Sequence, residues 1–491
     1  MRIVVIGAVF GGLSAAIRLQ AQGHAVVLVE KRDRAGGRAY VFRNDGFVFD
    51  AGPTIITAPA MIDELFALGG RTTRDYVKLV PLDPYYNVRF EDGSVFHYTG
   101  DHERLKSEVR RFNPADVDAY ERFSRAAQQV FDCAFPLVDK PFTTIADMMR
   151  VVPELVRLRA DRSVARLAER FFQDDRLRQV FSFHPLLIGG NPLESSSIYA
   201  LIHVLEKRWG VWFAMGGTGA LVDALVRLFT ELGGELRLDT EVNGIEVDLV
   251  TRRAREVRLS SGERLTTDAV VSNADVAHTY KRLVPQAARR RNTDRRLDRM
   301  RYSMSLFVIY FGTNRKYDEI AHHEILMGPR YDGLLTDIFD RKRVAPDFSL
   351  YLHRPTATDP SLAPAGCDSW YVLSPVPHLG SGTDWQADGD GYRDAIMRYL
   401  EERYLPGLGK HIVVEQRVDP RYFRDALNSH LGSAFSVEPI LTQSAWFRPH
   451  NKSEDIPNLY LVGAGTHPGA GVPGVLSSGK IVAEMIGPAT G

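Results

Sequence analysis

The first thirty residues limit the fold of this chain more than any other stretch. "RIVVIG" (2–7) is a β-branched run ending in glycine, as a strand buried on both faces would. "GGLSAAIRLQAQG" (11–23) follows, with apolar Leu13, Ala16, Ile17 and Leu19 on one helical face and a stop at Gly23. "HAVVLVE" (24–30) is a second buried strand, closed by the acid Glu30. The glycines alone are weak evidence. Strand, turn, helix, strand and acid together favour a dinucleotide-binding βαβ unit over a plain structural one. In such a unit Gly7 makes the tight turn and Gly12 lets helix and strand pack closely. The helix N-terminus faces a pyrophosphate, and Glu30 accepts hydrogen bonds from the adenosine ribose.

The turn itself reads "GAVFGG" (7–12), with Gly7, Gly11 and Gly12 in place but Val9 where the middle glycine belongs. That glycine lets the pyrophosphate approach the backbone with no Cβ between them. A β-branched residue there is expected to crowd the ligand and to disfavour a positive φ. After the second strand comes "KRDRAGGRAY" (31–40), where Gly36 and Gly37 permit close backbone approach and Arg38 can face a pyrophosphate or flavin. A G-G-R segment at this point resembles flavoproteins of the amine-oxidase type, which favours FAD over NAD; the alternative is a solvated turn.

At 491 residues the chain exceeds what one core supports, so two or more domains are expected. With 61 basic and 61 acidic residues, net charge offers no global reason to expect nucleic acid. Cys133 and Cys367 belong to no C-x-x-C pair, and His322–His323 lacks the i, i+4 spacing of a helical metal site, so no metal is expected. The apolar start is interrupted by Gly7, Gly11 and Gly12, unlike a signal peptide, and no uninterrupted apolar run reaches 18 residues. A cytoplasmic protein is expected, with contact to a membrane surface left open.

Near the other end, "NLYLVGAGTHPGAGVPGVLSSGK" (458–480) reads as a buried strand, a glycine turn and a small-residue helix starting near Val475. Backbone-only walls at a helix N-terminus suit a flavin ring or its ribityl chain. This stretch resembles the C-terminal signature of the bacterial-type phytoene desaturases, the carotenoid branch of the FAD amine-oxidase superfamily. Gly463, Gly465, Thr466, His467, Pro468, Gly469, Gly471 and Gly474 stand in the matching places. "GGRAYVFRNDGFVFDAGPTIIT" (36–57), "FSFHPLLIGGNP" (181–192), "WGVWFAMGGTGALVDAL" (209–225) and "GSAFSVEPILTQSAWFRPHN" (432–451) extend the likeness along nearly the whole chain.

The resemblance implies an α/β fold: a Rossmann-type FAD-binding domain of the amine-oxidase/GDP-dissociation-inhibitor kind, an inserted mixed-sheet substrate domain and a helical membrane-associated region. The FAD-binding domain would comprise 1–75, 206–285 and 452–491, the substrate domain 76–100 and 286–451, and the helical region 101–205. The resemblance implies cofactor contacts at Gly7, Val9, Gly11, Gly12, Glu30, Lys31, Gly37, Arg38, Gly52, Pro53, Thr54, Gly463, Gly465, Gly469, Gly471 and Val472. Val242 would meet the adenine through its backbone. "ELRLDTEV" (235–242), "REVRLSSGERL" (255–265) and "TDAVVSNAD" (267–275) read as three successive strands returning to that domain. The implied activity is successive dehydrogenation of 15-cis-phytoene to lycopene or neurosporene, with hydride passing to flavin N5 and reoxidation by a quinone or oxygen.

Residues 147–181 read as helices broken near Pro153, and across 150–170 six arginines and three acids interleave with apolar residues. The stretch 289–301 carries seven arginines against two aspartates. Such basic stretches are either solvated faces or membrane-docking ones; a substrate confined to bilayers favours docking at the inner face of the cell membrane. A polyene without polar groups calls for an apolar channel, with candidate walls in 84–90, 305–311 and 370–375. Asp147 and Arg150, one helical turn apart, are candidates for the proton acceptor, the alternative being a surface ion pair. Two other readings stay open. One is a related flavoenzyme: a diapophytoene or hydroxyneurosporene desaturase, a carotenoid isomerase or an amine oxidase. The other is a flavin-free scaffold, suggested by Val9.

Overall fold

The computed structural model describes residues 1–490. Its N-terminal βαβ unit is the centre of a five-stranded parallel sheet, ordered Leu459–Leu461, Ala269–Ser272, Arg2–Ile6, Ala25–Val29, Glu235–Arg237. Three separated pieces of chain therefore meet in one sheet. Side chains of a strand alternate between faces, so Ile3 and Val5 pack on the helices Phe10–Ala21, Thr218–Glu231 and Val472–Ile486. Val4 and Ile6 pack on a three-stranded antiparallel sheet, Val242–Val247, Ala254–Leu259 and Arg264–Thr266. Both faces are covered, which is why these strands are unbroken apolar runs.

A seven-stranded sheet forms the second body, ordered Ile412–Val418, Ser305–Thr313, Asp368–Val376, Leu350–His353, His323–Leu326, Tyr86–Arg89, Val95–Tyr98. Every pairing is antiparallel except His323–Leu326 with Tyr86–Arg89. Phe307, Ile309 and Phe311 pack under the helix Trp385–Arg403, while Leu306, Val308 and Tyr310 join the core shared with the helical region. That region includes Val117–Ala134, Ile145–Arg157 and Leu201–Trp209. Among the described residues no helix is long and apolar enough to cross a membrane.

Three sequence expectations need correction. "ELRLDTEV" is two strands in different sheets: Asp239 adopts φ 48°, and the N–H groups of Asp239 and Thr240 bond the carbonyls of Arg32 and Glu30, turning the chain out of the parallel sheet. Pro153 does not break its helix, which continues to Arg157 with the proline on an exposed side. The last helix begins at Val472, with Pro473 in its first turn, three residues before the expected Val475.

Candidate functional site

The parallel sheet ends at a cleft lined by Gly7, Val9, Glu30, Lys31, Gly37, Arg38 and Val242, all expected from sequence, together with Asn273. Gly7 turns the chain at φ 94°, and a Cβ on Gly12 would lie 2.0 Å from the Gly7 carbonyl oxygen. The close strand-to-helix packing therefore requires glycine at residue 12. Glu30 is 7% exposed; its carboxylate accepts from the N–H of Ala8 (2.9 Å) and of Arg32 (3.1 Å), which fixes its direction at the cleft mouth. Lys31 donates to Asn428 Oδ1 (3.1 Å), and burial lowers its pKa. Arg38 donates through Nε to the Ala434 carbonyl (2.6 Å) and through Nη2 to Ser429 Oγ (2.5 Å); burial lowers its pKa too.

Val9 is the N-cap of the first helix at φ −109°, ψ 176°, extended backbone that a β-branched residue adopts readily. The expected backbone penalty is thus absent. Only the side chain's bulk remains, and Gly37 yields part of the room for it: a Cβ there would sit 3.4 Å from Val9 Cβ.

Val9, Arg38 and Asn273 also line a second cavity, of about 400 Å³, which therefore adjoins the cleft. Gly11, Gly52, Pro53, Thr54, Gly463, Gly471 and Val472 face it, whereas Gly12, Gly465 and Gly469 line neither space. Gly465 makes room for Ser436 and Val276, each 2.7 Å from a would-be Cβ, and Gly469 at φ 134° faces Arg448. Arg448, unremarked in the sequence, is 1% exposed and donates to the carbonyls of Val437, Gln443, Ala464 and Thr466, pinning the glycine turn.

Beyond the glycine walls the cavity is apolar, with Leu187, Leu201, Ile202, Met304 and Phe435 among its lining. Of the expected wall segments, 305–311 contributes Leu306 and 370–375 contributes Tyr371, Leu373 and Pro375; 84–90 contributes none. One polar spot is a chain of hydroxyls, with Thr54 Oγ1 at 2.9 Å from the Tyr351 and 2.5 Å from the Tyr371 hydroxyl. Among the described lining residues Glu206 is the only carboxylate, and no imidazole accompanies it. Its Oε2 accepts from the Tyr86 hydroxyl (2.9 Å), with His184 Nε2 at 3.4 Å, and its Oε1 is buried without a partner. The sequence held no signal for Glu206, because its hydrogen-bond donor Tyr86 comes from a strand 120 residues earlier.

Asp147 and Arg150, the candidate proton acceptors, line neither space. Asp147 closes a capping box with Thr144, accepting from its N–H and hydroxyl (both 2.9 Å). The Thr144 backbone N–H is the main influence holding its pKa down. The Arg150 side chain is 78% exposed, 3.4 Å from Asp147.

The cleft and glycine walls fit FAD. Asn273 Oδ1 is buried without a partner where the two spaces meet, and a Cβ on Gly11 would lie 2.4 Å from it. Apart from Val9, Gly7, Gly11 and Gly37 present backbone around that junction beside a helix N-terminus, and Arg38 lines both spaces, as a pyrophosphate requires.

Comparison with known proteins agrees with this reading of the geometry. The flavin containing amine oxidoreductase family matches residues 10–486. A phytoene desaturase (lycopene-forming) from Pseudescherichia vulneris is 53% identical over 487 residues, 99% of each chain. A phytoene desaturase (neurosporene-forming) from Rhodobacter capsulatus is 47% identical, over 99% of this chain and 94% of that one. Among solved structures, an oxidoreductase from Methanosarcina mazei superposes with a TM-score of 0.68 at 16% identity, covering 99% of this chain and 100% of that one.

Proposed function

The chain belongs to the flavin-containing amine oxidoreductases, as a bacterial-type phytoene desaturase, and from that premise we propose how it turns phytoene into lycopene with FAD. The observation that carries the reading is the apolar cavity adjoining the dinucleotide cleft at Val9, Arg38 and Asn273. A hydrocarbon substrate offers no polar handle, so an apolar space of this kind recognises it by shape. Glu30, Lys31 and Val242 hold the adenosine end of FAD, the 7–12 turn and Arg38 its pyrophosphate, and Gly52–Thr54 with Gly463, Gly471 and Val472 its flavin end. FAD, when bound, supplies the acceptor for the hydride. The segments 1–75, 206–285 and 452–491 make up the FAD-binding domain and 76–100 with 286–451 the substrate domain, while the cavity itself is closed by residues of 286–451 and of the helical region 101–205.

The protein's own part is to exclude water and to take up a proton at each dehydrogenation. Glu206 is assigned that proton, being the one lining carboxylate, with Oε1 free of hydrogen bonds. Tyr86 and His184 lie behind it as the onward path.

Access to substrate is through a membrane surface. The helix Ile145–Arg157 exposes Ile145, Met149 and Val156, the last at 71%, beside Arg150 and Arg157, and it packs near exposed Phe447. Apolar side chains rimmed by arginines suit peripheral docking at the anionic inner face of the cell membrane. The 289–301 cluster is a weaker docking candidate, since no large apolar side chain within it is exposed. A quinone or oxygen reoxidises the cofactor.

Incubation of the protein with phytoene liposomes and FAD, followed by pigment extraction, tests the activity. Lycopene is the expected product. Accumulated neurosporene would shorten the reaction sequence, and unchanged phytoene with FAD bound would overturn the assignment.

A further inference from the structure

The adjacent histidines His322 and His323 acquire a third neighbour that their spacing could not announce. His323 opens the strand His323–Leu326 and pairs in register with His353, the last residue of Leu350–His353. All three rings are buried, at 6%, 0% and 0% exposure, and one nitrogen from each lies within 4.8 Å of the others. Each Nδ1 has a neighbour: Thr358 Oγ1 at 2.6 Å from His322, the Tyr351 hydroxyl at 2.7 Å from His323, and His323 Nδ1 itself at 3.1 Å from His353. Each Nε2 is buried with none.

Three neighbouring buried rings that each keep one nitrogen without a partner need an explanation, since buried polar atoms are nearly always paired. Thr358 and Tyr351 each hold one ring nitrogen, of His322 and His323, as the outer partners of metal-bound imidazoles do. An imidazole-only donor set suits zinc and its first-row neighbours and is poor for magnesium or calcium. The nearby charge of Arg354 is offset by Asp368 at 3.3 Å.

We propose that His322, His323 and His353 bind one divalent cation of the zinc class, and that this ion clamps the two strands behind the cavity wall. Bonds of about 2.0 Å place ligand nitrogens roughly 3.3 Å apart, a spacing that small ring movements reach from nitrogens already within 4.8 Å of one another. The ion touches neither cavity. It acts through Tyr351, whose hydroxyl joins His323 to Thr54 at the wall.

The test is metal analysis of the untagged full-length protein, purified without chelator, with X-ray absorption at the zinc edge. About one zinc per chain in an all-nitrogen and oxygen shell is expected, with a melting temperature lowered by chelator and restored by zinc. His322→Gln, at the rim of the cluster, should fold and bind FAD yet lose the zinc and the chelator response. Absence of metal from the untagged protein, together with a melting temperature indifferent to added zinc, would overturn the proposal. Zinc retained undiminished in His322→Gln would overturn it equally.

Discussion

Val9 is the residue at which this chain departs from its own motif, and its consequence is narrower than sequence suggests. With φ at −109° there is no backbone strain to relieve, so only side-chain bulk at the junction of cleft and cavity remains. Crowding by a few carbons typically costs about 1–3 kcal/mol, or roughly five- to hundredfold in affinity. Val9→Gly is therefore expected to tighten FAD binding, toward the low end of that range because Gly37 already yields space. An unchanged dissociation constant, read by flavin fluorescence, would show that the loop fully accommodates the valine. At Glu30 the expectation is opposite in sign. Glutamine there keeps the shape but removes the charge from a group that accepts from two backbone N–H groups, so FAD affinity should fall by about tenfold or more. Glu206→Gln should leave FAD affinity intact while slowing flavin reduction by phytoene roughly 10²- to 10⁴-fold, the usual span of general-base catalysis. A variant that reduces flavin at the original rate would remove Glu206 from the reaction.

At the scale of elements, the helix Ile145–Arg157 separates two roles that sequence had merged. Its polar start is a cap: Thr144→Ala should cost about 1 kcal/mol of stability and leave turnover per folded molecule unchanged. A loss of turnover out of proportion to stability would return Asp147 to the list of reacting groups. Its apolar side is exposed, and replacing both Ile145 and Met149 with glutamate should weaken partition into anionic liposomes tenfold or more. Partition that survives both changes and raised salt would move the membrane contact elsewhere. The same helix shows where sequence reading falters. A proline forbids only one hydrogen bond and one steric arrangement, and on a solvent-facing turn a helix can absorb both. The buried strands were legible because a sheet covered on both faces leaves long apolar runs. Residues 235–242 were not, since the turn at Asp239 depends on bonds to the carbonyls of Arg32 and Glu30, two hundred residues away.

Across the whole molecule, what was hidden is what only tertiary contact assembles. The glycine turns and Glu30 carry local signatures, but Glu206 with Tyr86, Thr54 with Tyr371, and His323 with His353 are brought together by sheet order alone. The same burial of polar side chains fixes the pH response of the fold. Desolvation takes His378 and His467 down to about 4, with the charges of Lys342 and Arg448 acting in the same direction, and it pushes His203 well below its usual value. Desolvation also raises Asp50 to about 6 and Glu438 to about 7. The signs oppose. An imidazole whose folded pKa is depressed binds its proton only on unfolding, so its stability is present above about 6.5 and is lost as pH falls toward 4. A carboxylate whose folded pKa is raised binds its proton more tightly when folded, so its stability is lost as pH rises through 6 or 7. Between pH 4.5 and 6 six strongly depressed imidazoles, His203, His322, His323, His353, His378 and His467, outnumber the two raised carboxylates, so the unfolded chain binds more protons and stability falls on acidification. The melting temperature of the protein should accordingly drop as pH is lowered from 6 to 4.5. In His378→Gln one of these imidazoles is lost, and the slope over that interval should become shallower by ~1.4 kcal/mol per pH unit. A melting temperature that rises on acidification would show that Asp50 and Glu438 govern the fold's response instead.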